Sequence, residues 1–168
     1  MYRETYADLV RFLHRKVWDA DQAQDLAQET FARALDHDPE NPRAFLFTIA
    51  ANLARDEARS AIRRKKHLTL IAGGAAGTGA AAEGAEEAEG TAALERADAV
   101  RHALDQLNDR DREVLLLWDA GLDYTQIALQ TGLKPGAIGT TLARARKRLV
   151  EAHDAASRVA PKPQTKQG

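Results

Sequence analysis

GLDYTQIALQTGLKPGAIGTTLARARKRL, residues 121–149, holds two short helical patterns separated by a glycine. Asp123 followed three residues later by Gln126 has the form of a capping box, so a helix is predicted over YTQIALQT. Gly132 ends that helix, Leu133 and Lys134 turn the chain, and Pro135 suits the first position of a second helix. Ala128, Gly132 and Ile138 supply a small residue, a turn glycine and an apolar residue, which two helices crossing at a tight turn require. The pattern is a helix-turn-helix. In its second helix Ile138, Leu142, Ala145 and Leu149 share one face, and Thr140, Thr141, Arg144, Lys147 and Arg148 are read onto the opposite one. Residues 134–149 carry five Lys or Arg and no acid. Such a cluster is either a solvated helix face or a surface for phosphate and bases. With the apolar residues turned inward, the cations are expected to meet no internal acid, and Arg146 points aside, where it serves solubility. Beyond a helix-turn-helix, the pattern favours DNA.

Upstream, LNDRDREVLLLWDAG reads as a helix capped by Asn108, with acids in its first turn and Gly121 at its end. A further helix is expected near Leu94–Leu107. Residues 71–93, IAGGAAGTGAAAEGAEEAEGTAA, are rich in Gly, Ala and Glu, have no large apolar residue after Ile71, and read as a flexible acidic linker. Its Glu83, Glu86, Glu87 and Glu89 suit either a cationic channel or a solubilising spacer. The chain therefore divides into an N-terminal unit (1–70), the linker (71–93), a C-terminal unit (94–153) and a disordered tail (154–168).

The N-terminal unit reads as three helices. Tyr6, Leu9, Val10, Leu13 and Val17 repeat with helical period in the first. In the second, Asp21 is expected to cap, and Ala23, Leu26, Ala27, Phe31, Ala34 and Leu35 form the apolar face, which leaves Asp25, Gln28, Glu29 and Arg33 outward. Asn41 caps the third and Pro42 opens it. That helix runs towards Lys66 and is apolar on most sides from Ala44 to Ala51, with Phe45 and Phe47 assigned to the core. Asn52, Arg55, Arg59, Arg63 and Lys66 fall in one narrow sector of it. Cations there either meet DNA or complement the helix dipole. No strand signal occurs, so the fold class is all-α: two small helical domains, the second with a helix-turn-helix.

The charge balance alone, 24 basic against 25 acidic residues, would argue against nucleic acid. The four linker glutamates, however, mask flanks that hold 12 basic against 11 acidic residues and 12 against 10. The chain has no cysteine, which excludes disulfides and thiolate chemistry and fits a reducing cytoplasm. No apolar run approaches a membrane span, so membrane insertion is not expected. His14, His37, His67, His102 and His153 are scattered, and no phosphate-cradling glycine loop follows a strand. Catalytic residues, a metal and a cofactor are accordingly not expected.

DLAQETFARAL, PRAFLFTIAANLARDEARSAIRRKK, LDQLNDRDREVLLL and the opening stretch, in that order, resemble the extracytoplasmic-function (ECF) sigma factors of bacterial RNA polymerase, across nearly all of residues 5–153. The resemblance implies a dissociable promoter-specificity subunit. It implies that Asp25, Gln28 and Glu29 dock on a coiled-coil of core RNA polymerase. The stretch from Asp38 through Arg63, with Asn52, Arg55, Arg59 and Arg63, would recognise and open the minus-ten element. Thr140, Thr141, Arg144, Lys147 and Arg148 would enter the major groove at the minus-thirty-five element. It also implies an anti-sigma partner. Where family members often carry Trp-Leu-Tyr-Arg, this chain has Phe45-Leu46-Phe47-Thr48; where they often carry Thr-Val-Lys-Ser-Arg-Leu, it has Ala137-Ile138-Gly139-Thr140-Thr141-Leu142. Two cations are thereby absent from the groove side, and weaker phosphate attraction is expected. The rival readings are a conventional helix-turn-helix regulator with an N-terminal dimerisation or signal domain, and an adaptor or anti-anti-sigma protein that binds only proteins.

Overall fold

A computed structural model describes residues 2–72 and 89–159, and the described residues form seven helices and no strand. They fall into two compact units that divide within residues 73–88. In the first unit, α1 (Tyr2–Val17), α2 (Ala20–Ala34) and α3 (Pro42–Ala72) pack pairwise on one another. In the second, α7 (Pro135–Val159) packs against each of α4 (Glu89–Asp105), α5 (Asp109–Asp119) and α6 (Tyr124–Thr131).

The turn between α1 and α2 is made by Trp18, a non-glycine residue at φ 57° whose N–H donates to the His14 carbonyl at 2.8 Å. A bulky residue is rarely found in the left-handed region. Reversing the chain there brings Asp19, not the expected Asp21, to the cap: its carboxylate accepts from the Gln22 N–H at 2.8 Å, and Asp21 lies within the first turn. Asn41 caps α3 as its sequence predicts, accepting from the Ala44 N–H at 3.0 Å.

Leu9, Phe12 and Leu13 of α1, Ala23 and Ala27 of α2, and Leu46, Phe47, Ala50, Ala51 and Ala54 of α3 form the first core. Phe12, which the periodicity of α1 did not include, meets Phe47 edge-on at 5.3 Å between ring centroids. Phe45 is only half-buried and lies against His37 at 5.2 Å, so it is not the core residue expected. Leu35, the C-cap residue of α2, is 81% exposed and so not part of the apolar face expected, whereas Thr30 is buried, its hydroxyl donating to the Leu26 carbonyl at 2.7 Å. A threonine that bonds its own backbone costs little to bury.

The boundary helices run further than their sequence suggests. α3 continues through residue 72, α4 begins at residue 89, and α7 reaches residue 159, into segments read as linker and tail. Ala, Glu and Arg in those segments are strong helix formers and extend the helices beyond their packed parts. The rest of the linker, with Glu83, Glu86 and Glu87, and the tail from residue 160 lie outside the described residues.

Candidate nucleic-acid interface

Hydrogen bonds fix the helix-turn-helix at both ends of α6. The Asp123 carboxylate accepts from the Gln126 N–H at 2.8 Å, and the Gln126 side chain accepts from the Asp123 N–H at 2.9 Å. Gly132 closes α6 at φ 70°, its N–H donating to the Ala128 carbonyl at 2.9 Å, and this left-handed conformation is what selects glycine there. Ile138, Leu142 and Ala145 are buried, which seats α7 on α5 and α6.

The residues read as one groove-facing set divide three ways. Thr140 and Lys147 are exposed, the latter 4.0 Å from Glu151. Thr141 is buried, with 6% of its surface accessible, and so does not lie on the face opposite the apolar one. It sits three residues after Ile138 and four before Ala145, which makes it their neighbour on the helix surface. Arg144 and Arg148 are half-exposed, and both are tied to a carboxylate from another helix.

That carboxylate is Asp111, whose side chain is wholly buried. Arg144 donates to it through Nη2 at 2.6 Å and Nε at 3.3 Å, Arg148 through Nη1 at 2.8 Å, and the Asn108 amide at 3.0 Å. Asn108 in turn accepts from the Asp111 N–H at 2.9 Å as the cap of α5. The expectation that the recognition-helix cations meet no internal acid is therefore corrected. Asp111 lies 33 residues from Arg144 and looked like an ordinary first-turn acid. Its only signal in the sequence was its place at the third helical position after Asn108, where side chains turn back towards the cap.

The Arg144 hydrogen bond holds the Asp111 carboxyl below the usual carboxylate range; burial opposes this, and the charges of Arg144 and Arg148 and the Asn108 amide reinforce it. The same pairing raises the Arg144 guanidinium. A carboxylate with a lowered folded-state pKa contributes stability that is complete above its unfolded value, near 4, and is lost as pH falls through the folded value. Acid unfolding of the C-terminal unit is thus expected to begin below about pH 4. Asp111→Asn should flatten that limb in a circular-dichroism titration and leave the chain less stable at pH 7; an unchanged acid limb would contradict the assignment.

Arg146, read as serving solubility alone, lies over the Trp118 ring at 5.6 Å. Trp118 and Tyr124 in turn meet at 5.4 Å, both partly exposed. The Tyr124 ring edge would stand 3.6 Å from a Cβ added at Gly139, an ordinary contact, so that site accepts a side chain.

On the first unit, Asp25, Gln28 and Glu29 are all exposed on α2, with Glu29 paired to Arg33 at 2.7 Å. On α3, Asn52, Arg59 and Arg63 are exposed and Arg55 is half-buried. Arg55 donates to the Asn52 side chain at 3.1 Å, and Arg59 lies 3.7 Å from Asp56. Asp56 thus partly offsets the Arg59 charge in this stripe. Among the described residues no group of His, Cys, Asp and Glu could hold a metal ion.

Two family models match the chain, Sigma-70 region 2 over residues 1–64 and Sigma-70 region 4 over residues 97–149. The chain is 35% identical over 149 residues to the ECF RNA polymerase sigma factor SigL of Mycobacterium tuberculosis, covering 84% of this chain and 80% of SigL. This chain is an ECF sigma factor of the sigma-70 family. It is also 32% identical over 154 residues to the ferric citrate uptake sigma factor FecI of Escherichia coli, covering 86% of this chain and 84% of FecI. In fold, the sigma factor is similar to RpoE from Bartonella quintana, solved with the anti-sigma factor NepR (TM-score 0.62, 25% identity, 94% of each chain). It is likewise similar to CnrH, solved with the cytosolic domain of CnrY (TM-score 0.60, 25% identity, 89% of this chain and 82% of CnrH). As a sigma factor it acts in transcription initiation.

Proposed function

We propose that this sigma factor divides its work between its two units, docking on core polymerase and opening the minus-ten element with the first and reading the minus-thirty-five element with the second. The observation that carries the second assignment is the half-exposed pair Arg144 and Arg148 beside exposed Thr140 on one helix of a capped helix-turn-helix. Asp25, Gln28 and Glu29 support the first: they are outward on a helix whose opposite face is buried, so packing does not account for them. Asn52, Arg55, Arg59 and Arg63 would meet the downstream element along α3. The protein performs no chemistry of its own and works in the cytoplasm, where polymerase is; no helix among the described residues is long and apolar enough to cross a membrane. Like RpoE with NepR, it would be bound by an anti-sigma protein.

Run-off transcription with purified core polymerase on genomic fragments tests this reading. Promoter-specific transcripts should require both the chain and the polymerase. A chain that shifts promoter DNA alone, as a dimer on repeated half-sites, would contradict this division of work.

Gly139 offers a test of where the groove lies. It stands where the family often has lysine, and the backbone there takes a side chain without a clash. Gly139→Lys should steepen the salt dependence of promoter binding by about 0.9 in log–log slope, one extra counterion released, and should stabilise α7 by about 0.5–1 kcal/mol through helix propensity. A salt slope identical to wild type would place the start of α7 away from phosphate.

A further inference from the structure

Two arginines one turn apart on a recognition helix would ordinarily be mobile cations that attract any DNA. Here both are tied to one buried carboxylate. Asp111 projects from α5, its backbone and side chain both bonded to Asn108, and is wholly enclosed. Arg144 meets it fork to fork through the Nε and Nη2 edge, with 47% of the side chain accessible. Arg148 meets it through Nη1 alone and keeps 49% of its side chain accessible. Each guanidinium is thus held on one side and presented on the other, and the two share a single anion.

We propose that Asp111 is a specificity-determining positioning residue, which orients Arg144 and Arg148 for bases of the upstream promoter element and removes one unit of charge from their attraction to DNA in general. It does not touch the DNA. The proposal rests on the reading that α7 faces the upstream element, and it deepens that reading. The physical reason is a division of labour between contacts. Phosphate attraction grows with net positive charge and ignores sequence, whereas a bidentate base contact requires the planar guanidinium at a fixed angle. A buried carboxylate bonded to two arginines lowers the first and improves the second. An arginine fork keeps its orientation when bonded on one edge, which a lysine ammonium cannot do.

The test is binding of the holoenzyme, across a salt series, to a promoter fragment it transcribes, with the sequence upstream of the minus-ten element intact or scrambled. Asp111→Asn is nearly isosteric and leaves both arginines charged. Its ratio of intact to scrambled affinity should fall on the order of ten-fold or more, largely because the scrambled fragment binds better, and the salt slope should steepen by about one. Arg148→Lys keeps the charge and changes only the fork, so its ratio should fall with the slope unaltered. A carboxylate that merely braces the fold would lower the folded fraction and leave the ratio as in wild type. Lys147→Ala, exposed and outside the cluster, is the reference and should weaken both fragments alike. If it does so while Asp111→Asn and Arg148→Lys keep the wild-type ratio, the positioning role is wrong and the placement of α7 stands. If all three bind both fragments like wild type, α7 does not face DNA and both readings fall. An Asp111→Asn chain that does not fold leaves Arg148→Lys to decide.

Discussion

A chain with Gln28→Ala and Glu29→Ala is expected to lose core polymerase by more than about a hundred-fold while folding as well as wild type. Both side chains are exposed on α2, and the residues that seat this helix, Ala23, Ala27 and Thr30, lie on its other face. The structural cost is small. Glu29 gives up an exposed pair with Arg33, worth about 0.3–0.5 kcal/mol, and alanine returns a few tenths through helix propensity. Stability should therefore stay within about 0.5 kcal/mol. At an interface, by contrast, residues that dominate binding each cost about 2 kcal/mol or more on truncation, and 1.4 kcal/mol is a factor of ten. Thermal unfolding and co-purification with core polymerase measure the two quantities separately. Undiminished co-purification would remove Gln28 and Glu29 from the docking face.

Phe47→Ala should act in the opposite sense, through the fold. Phe47 is the largest of the fully buried side chains, packs edge-on against Phe12, and has the Arg43 guanidinium over its ring at 5.2 Å. Removing a buried phenylalanine costs about 3–5 kcal/mol, through lost transfer energy and the cavity left behind. For a unit of this size that lowers the unfolding midpoint by more than about 10 °C. Against the roughly 5–15 kcal/mol typical of a whole domain, that is a large share of the stability of the N-terminal unit. Polymerase binding falls as well, together with the helical signal, which the docking variants retain. A midpoint shift under about 4 °C would mean that the core refills around the missing ring.

The two sets of residues differ in what a sequence can show of them. Helix positions, caps and the helix-turn-helix depend on neighbours three and four residues apart, so Asp123 with Gln126, Asn41 before Pro42, and Gly132 could be read directly and have those roles in the structure. The exposed residues of α2 were legible for the same reason, because they are what remains once the apolar face is assigned. The Asp19 cap was missed because it depends on a tryptophan in a left-handed conformation that no local preference announces. The continuation of α3 and α4 into the linker was missed because Gly-, Ala- and Glu-rich composition is read as coil until an adjoining packed helix extends into it.

By itself, then, the sequence determined an all-helical chain in two units, the helix-turn-helix, the acid-free stretch on its second helix, and enough ordered motifs to carry the family. The tertiary structure alone decided how those cations are held. Thr141 is buried because α7 rests on its flank as well as on its apolar centre, and Arg144 and Arg148 are half-neutralised because α5 delivers Asp111 to them from 33 and 37 residues away. Periodicity reports which face of a helix is apolar. Which acid from another helix stands beside the polar face is fixed only when the helices pack, and here that acid is the enclosed carboxylate of Asp111.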